Sequence, residues 1–450
     1  MKQGFFLFLS FMIIVLITGC GGKQYQRAFM LVDDTGLEYE NTISEAGAGT
    51  LSEESTVLEY QKLAALNNPG LRADFEVWKA SIEQIIQKQT LPDPRFTYTY
   101  FIEHLETRTG PQTYRLAISQ AFPWFGKLQL RGETAFLNSE IRRMKFESEK
   151  RSLYYKVETS YIELYRLNEN RKIIKENMEL LKYLETVAQT GYSAGRIPYS
   201  SVIRAQMEIG KMENRIQSLE EMISATKSEM KSLLGISRDM DIPVPSSLPE
   251  TEPLQTGPAG EFQASHNPDV LALDFKIKKA EKQIDLARKE FYPDFALGFM
   301  YMNTEDSFMD NVKGSGSDPY AVTFSLDLPL WRWKYRAMER EKKSEHAATG
   351  QKRQNLVNQL NARIDKILFQ YRDAERKINL FRDNLIPKSR ETLEVTRQSF
   401  SAGDAGFTEV IDIQRNLLEF EQILIDSMAK RAARIAEYNM IAGDSDLQNE

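Results

Sequence analysis

The sequence predicts a mainly α fold with a small β portion: a tandem-repeat protomer of long coiled-coil helices plus four β-strands. Three observations carry that prediction. The first is one sentence written twice. Residues 191–206 read GYSAGRIPYSSVIRAQ and residues 399–414 read SFSAGDAGFTEVIDIQ, so Gly195 and Gly403 sit 208 positions apart in matching glycine-bearing turns. A match at that separation points to internal duplication. The second is a heptad after the first turn, with Val202, Ile209, Ile216, Ile223 and Met230 at one position and Ala205, Met212, Leu219, Thr226 and Leu233 at the other. A seam of that length demands a helical partner, and the outgoing helix joined through Gly195 is the nearest. The third is a switch to period two at two short sites, the mark of half-buried strands.

The elements follow in order. Residues 1–19 combine Lys2, an apolar run from Phe5 to Ile17 and small residues, which describes a secretory signal peptide. Residues 20–50 form a polar tether, expected to be extended. The first repeat spans 51–235. It opens with a helical pattern from Leu51 to Gln89, which Pro92 and Pro94 stop. Two strands within 96–120 follow, with Phe96, Tyr98, Tyr100 and Ile102 on one face of the first, a turn at Thr109-Gly110-Pro111, and Tyr114, Leu116 and Ile118 on one face of the second. A proline-free stretch from Lys127 to Thr190 would run roughly 95 Å as a helix. Its hairpin tip lies near 195.

Residues 236–261 are a proline-rich linker. The second repeat spans 262–443. Asn267-Pro268 matches Asn68-Pro69, and Pro293-Asp294-Phe295 matches Pro94-Arg95-Phe96. Strands within 294–328 place Phe295, Leu297, Phe299 and Tyr301, then Val322, Phe324, Leu326 and Leu328, on apolar faces, with an insertion expected between Asn303 and Pro319. The helix after Trp331 carries Pro387, which should bend or break it. Its tip lies near 403, and the returning seam reads Val410, Ile413, Leu417, Phe420 and Leu424. Residues 444–450 are a polar tail.

Composition narrows the function. A net charge of -6 argues against nucleic acid as the main partner, and one cysteine excludes an internal disulfide and any cysteine metal cage. No phosphate-binding glycine loop, zinc spacing or nucleophile with a convincing partner emerges, so neither catalysis, a cofactor nor a metal site is expected. Met300 and Met302 share a strand face and read as packing or lumen lining.

The strands pose a problem of assembly. Alternation of apolar and polar residues over such lengths is the pattern of membrane barrels. Four strands are too few to close a barrel, and open edges are forbidden in lipid. The edges must therefore pair with other copies of the chain, which cyclic symmetry accomplishes at once.

With its two Asn-Pro starts, two strand–loop–strand units, the segment Ala121-Phe-Pro-Trp-Phe-Gly-Lys-Leu128 and the paired tips, the chain resembles the TolC-like outer-membrane efflux protein family over nearly its whole mature length. The Phe-Pro-Trp-Phe-Gly-Lys segment is most similar to the branch serving heavy-metal efflux pumps. The resemblance implies a homotrimer, with a twelve-stranded outer-membrane β-barrel and a periplasmic α-helical barrel. It implies passive conduction, with a periplasmic adaptor (membrane fusion) protein and an inner-membrane efflux pump as partners. The Ile17-Thr18-Gly19-Cys20 ending resembles a bacterial lipobox, which implies lipidation of Cys20 and, with Gly21 next, anchoring to outer membrane lipid.

The resemblance also nominates site residues. Glu409 and Asp412, at i and i+3 on one helix face, match the family's acidic constriction at the periplasmic tip. Gly195, Arg196, Ile197, Gly403, Asp404 and Ala405 are tip turns and candidate adaptor contacts. The family's acidic–basic latch is expected to be absent, because its positions hold Ser201 and Ala405. Arg196 or Arg204, paired with Asp404, Glu409 or Asp412, is the expected substitute. The competing reading is a periplasmic adaptor or a structural coiled-coil lipoprotein without a pore.

Overall fold

The computed structural model describes residues 25–33, 51–250, 253–254, 264–402 and 404–442. Its elements are α1 (residues 25–33), α2 (Val57–Asn67), α3 (Pro69–Gln89), β1 (Arg95–Thr107), β2 (Gly110–Phe122), α4 (Lys127–Ser193), α5 (Tyr199–Leu234), α6 (Pro268–Lys289), β3 (Asp294–Thr304), β4 (Tyr320–Asp327), α7 (Arg332–Leu380), a π-helical turn (Phe381–Leu385), α8 (Ile386–Ala402) and α9 (Phe407–Ala442). The chain divides into two compact units. Of the described residues, one unit holds 25–33, 76–143 and 272–354, which include the sheet, and the other holds 51–75, 144–271 and 355–442 where described.

In the sheet unit the strand order is β1-β2-β3-β4, antiparallel throughout. The two repeats meet at its centre, where β2 of the first pairs with β3 of the second. The register stacks Tyr98, Leu116, Tyr301 and Tyr320 in one cross-strand row, and Phe96, Ile118, Phe299 and Val322 in the next. The opposite face carries Thr97, Ala117, Met300 and Ala321, then Arg95, Ser119, Gly298 and Thr323. One face is thus aromatic and aliphatic and the other small and polar, as the alternation requires. Met300 and Met302 share the polar face, as expected. The side of Ile102 is not fixed by the ladder, because pairing is interrupted between Tyr100 and Leu105.

The β1–β2 turn is two residues, whereas β3 and β4 are joined by 15 residues, 305–319, at the place of the expected insertion. This loop leans on the short turn. Gly316 N–H donates to the Thr109 carbonyl at 3.0 Å, and Glu305 N–H donates to that of Pro111 at 2.8 Å. Gly110, at φ 131°, is fixed as glycine because a Cβ there would lie 1.7 Å from the Glu305 carbonyl oxygen. Residues 25–33 are helical, where the sequence reads as extended tether. Ala28 and Val32, one turn apart, are buried, and Tyr25 donates to Glu83.

In the helical unit, the expected helix from Leu51 to Gln89 is two helices. Pro69 cannot donate to a continuing helix, and Asn68 caps the second by accepting from Leu71 N–H at 3.0 Å. The duplication holds at the level of single bonds. Asn68 Nδ2 donates to the Leu233 carbonyl at 2.9 Å, and its counterpart Asn267 donates to the Ile441 carbonyl at 3.0 Å. Pro387 lies two residues after the π-helical turn, which absorbs the carbonyl clash that a proline makes in a regular helix.

The first heptad position of α5 is buried from Val202 to Met230, as predicted. The second holds through Met212 and then fades: Leu219, Thr226 and Leu233 are only partly buried, and Leu234 is buried instead. The partner is wider than the outgoing helix alone. Leu181 and Leu184 of α4, Val202 and Ile209 of α5, Phe400 of α8, and Phe407 and Val410 of α9 share one core. The seam on α9 differs from the predicted one. Its buried residues are Phe407, Val410, Ile411, Gln414, Leu417 and Leu418, while Ile413, Phe420 and Leu424 are partly exposed. A helix facing two neighbours buries a broad 3.6-period stripe and not a two-position seam.

Candidate functional site: the hairpin tips and the strand–helix junction

The first tip ends α4 with Gly195 in the left-handed region at φ 69°. The Gly191 carbonyl then accepts from the N–H groups of Arg196 at 2.8 Å and Ile197 at 3.2 Å. In the second tip the Ser399 carbonyl accepts from Asp404 at 2.9 Å and Ala405 at 3.3 Å, the same pattern 208 residues on. Both are helix-terminating turns that satisfy otherwise orphaned carbonyls. Gly403 and Cys20 lie outside the described residues. Arg196 and Asp404 are exposed, and Ile197 and Ala405 are partly buried against the shared core. Ser201 is buried.

Glu409 and Asp412 are both exposed on the first turns of α9, but they are not equivalent. Asp412 accepts from Arg415 at 3.4 Å, whereas Glu409 makes no ion pair among the described residues. Among the described residues, the expected pairing of Arg196 or Arg204 with an acid of the second tip does not occur. Arg204 donates to the Thr408 hydroxyl at 3.1 Å, and Asp412 is held by its own helix.

A charged link between the hairpins lies one turn away, at residues that the sequence reading missed. Arg415 of α9 donates to Glu208 of α5, which also accepts from Lys211 at 2.8 Å. Glu208 is only 7% exposed. Its burial opposes ionisation, yet the hydrogen bonds from Arg415 and Lys211 outweigh this and hold its carboxyl below the usual range. The signal was faint: Glu208 adjoins the seam residue Ile209, where coiled coils place interhelical charges. Two polar contacts extend the link, from Arg215 to Gln422 at 2.9 Å and from Gln414 to the Asn177 carbonyl at 3.2 Å.

A second cluster occupies the strand–helix junction of the sheet unit. Lys127, 2% exposed, donates to Asp294 at 2.8 Å, Glu290 at 3.0 Å and the Tyr292 carbonyl at 3.2 Å. Asp294 also accepts from Trp124 N–H at 2.7 Å, and the Trp124 ring stacks on Tyr292. A buried ammonium with two carboxylates and a carbonyl is fully satisfied, so this cluster pins the two repeats together at the base of the sheet. The sequence displayed Lys127 within its motif but not its partners, 163 and 167 residues away.

Among the described residues, no helix is long and apolar enough to cross a membrane, and no cluster of metal-binding side chains occurs.

A family profile described as outer membrane efflux protein matches residues 263–439, the second repeat. The chain is 22% identical over 396 residues to the probable outer membrane lipoprotein SilC of Salmonella typhimurium, covering 84% of this chain and 81% of that one. It is 19% identical over 335 residues to the pyoverdine export outer membrane protein OpmQ of Pseudomonas putida, covering 73% and 70%. The fold matches the outer-membrane channel OprN with a TM-score of 0.75 at 17% identity, over 86% of this chain and 90% of that one. Duplicated hairpins, a sheet shared between repeats, the matching profile and the structural likeness agree: residues 263–439 match the outer membrane efflux protein family, and the chain has the fold of the outer-membrane channel OprN.

Proposed function

We propose that the protein is the outer-membrane channel of a tripartite efflux system, conducting substrates passively from an inner-membrane pump and periplasmic adaptor to the exterior. The observation that carries this reading is the sheet. Its apolar face is bare, with Phe96, Tyr98, Tyr320, Val322 and Phe324 all exposed, and both β1 and β4 are edges. An uncovered face of this kind belongs against lipid, and an open edge does not. Three copies would place β4 of each beside β1 of the next and close a twelve-stranded barrel, with Thr97, Thr99, Arg115, Ser119, Thr323 and Ser325 lining a wet interior. An adaptor or a poreless coiled-coil lipoprotein has no use for such a face.

The chain performs no chemistry in this reading. Its contribution is a hydrated path with a selective end. Three copies of Glu409 and Asp412 around one axis would put six carboxylates at the periplasmic constriction and favour cations. Lipidation at Cys20 would add a second hold on the membrane.

Two tests apply. Cys20→Ser removes the lipid, and the protein should still need detergent; a freely soluble protein would refute the barrel. Glu409→Ala with Asp412→Ala should lower cation selectivity, read as a reversal potential across a salt gradient. An unchanged potential would remove the acidic ring from the account.

A further inference from the structure

The two repeats treat the same junction in opposite ways. Phe122-Pro123-Trp124-Phe125-Gly126-Lys127 aligns with Leu328-Pro329-Leu330-Trp331-Arg332-Trp333. In the first copy the cation is buried and held by two carboxylates. In the second copy the cations face outward. Arg332, Lys334 and Arg336 are all exposed, and none makes an ion pair among the described residues. The first turn of α7 holds no acid, and the nearest one along the helix, Glu339, is already engaged by Arg288 at 3.1 Å and Lys343 at 2.9 Å.

Aromatic rings alternate with these cations. Trp331 and Trp333 are 61% and 67% exposed with their ring centroids 5.0 Å apart, and Lys334 lies over the Tyr335 ring at 5.6 Å. The patch continues the bare row of Phe324, Leu326 and Leu328 without a break. Moving down the strand and into the helix, the surface passes from an unbroken apolar row to indoles interleaved with unpaired cations. That is the order of a bilayer read from hydrocarbon through the glycerol region to the phosphates.

We infer that residues 330–336 form a phospholipid-headgroup surface, with the two indoles at the glycerol level and Arg332, Lys334 and Arg336 on lipid phosphates of the inner leaflet. The inference rests on the channel reading above, which sets the sheet in the membrane. Anionic headgroups are the preferred occupant, because three cations with no protein anion leave a charge that a zwitterionic lipid does not balance. Each cation removed should weaken binding about fivefold.

The test uses the full-length channel in non-ionic detergent, with native mass spectrometry of retained phosphatidylglycerol and phosphatidylcholine. The variant carrying Arg332→Gln, Lys334→Gln and Arg336→Gln should lose phosphatidylglycerol affinity by on the order of a hundredfold. It should stay trimeric and conduct normally, and its phosphatidylcholine retention should change little. A charge-retaining variant with Arg332→Lys and Arg336→Lys should keep phosphatidylglycerol. Equal phosphatidylglycerol retention by the neutral variant would overturn the inference. Displacement of the lipid by inorganic phosphate would overturn it in favour of a free-anion site. Dissociation of the neutral variant into monomers, with the charge-retaining variant still trimeric, would make the patch a subunit contact. Wild-type protein that forms no pore would instead count against the channel reading.

Discussion

The two hairpin tips share a backbone and differ in nearly everything attached to it. Each ends its outgoing helix with one carbonyl accepting from two successive N–H groups, Gly191 from Arg196 and Ile197, and Ser399 from Asp404 and Ala405. Each carries a pair of aromatic rings across the turn, Tyr192 with Tyr199 and Phe400 with Phe407, at 5.1 and 5.7 Å. The tyrosines are half exposed and the phenylalanines are buried. The first tip therefore presents phenols and Arg196 to solvent. The second spends its rings on the core and presents Asp404, Glu409 and Asp412. Duplication preserved the turn, and divergence assigned one copy to outward contact and the other to packing and charge.

Removing a ring from each tip measures that division most strongly. Phe407→Ala should destabilise the protein by about 3 kcal/mol, the usual result of emptying a buried aromatic site. Tyr199→Ala should cost about 1 kcal/mol or less and should act instead on adaptor binding. Equal losses in denaturant titrations would mean that the two tips are not specialised.

The link between the hairpins comes next. Arg415→Ala strands the nearly buried Glu208, and Lys211 compensates only in part, so a loss of about 2 kcal/mol is expected. Glu208→Gln in the same background should recover most of it. No recovery would show that Arg415 acts through packing alone.

A smaller effect probes the turn itself. A Cβ on Gly191 would lie 2.4 Å from Ile197 Cδ1, whereas the second tip pairs the larger Ser399 with the smaller Ala405. Gly191→Val should cost about 1–2 kcal/mol by overpacking, and adding Ile197→Ala should return about half of it. Strict additivity of the two changes would break the analogy between the tips.

A separate effect is a pH dependence far from either tip. Glu158 of α4 is pushed up to about 7 by burial, opposed only by Gln61 Nε2 at 3.5 Å. Because its folded value lies above the unfolded one, the native state holds more protons between pH 4.5 and 7. Stability should fall across that window as pH rises and level off above it. Glu158→Gln should flatten the slope, and an unchanged slope would assign it to other groups.

Much of this architecture was legible in the sequence, because duplication supplied its own control. The turn at Gly191 predicted the turn at Ser399, Asn68 predicted Asn267, and strict alternation in Val322, Phe324 and Leu326 fixed a strand face. What escaped notice depends on partners distant in the chain. Lys127 finds Glu290 and Asp294, and Arg415 finds Glu208, only after both repeats have folded side by side. The α9 seam was misplaced for the same reason, since a helix with two neighbours buries residues that a two-helix heptad leaves out. The break at Pro69 was visible in the sequence and was overridden by the apolar pattern on either side of it.

Single-channel recording of the Cys20→Ser protein in a planar bilayer tests the central claim most directly. The account predicts a detergent-requiring trimer that gives small, steady, cation-selective steps. A protein that stays soluble without detergent and gives no steps would contradict it.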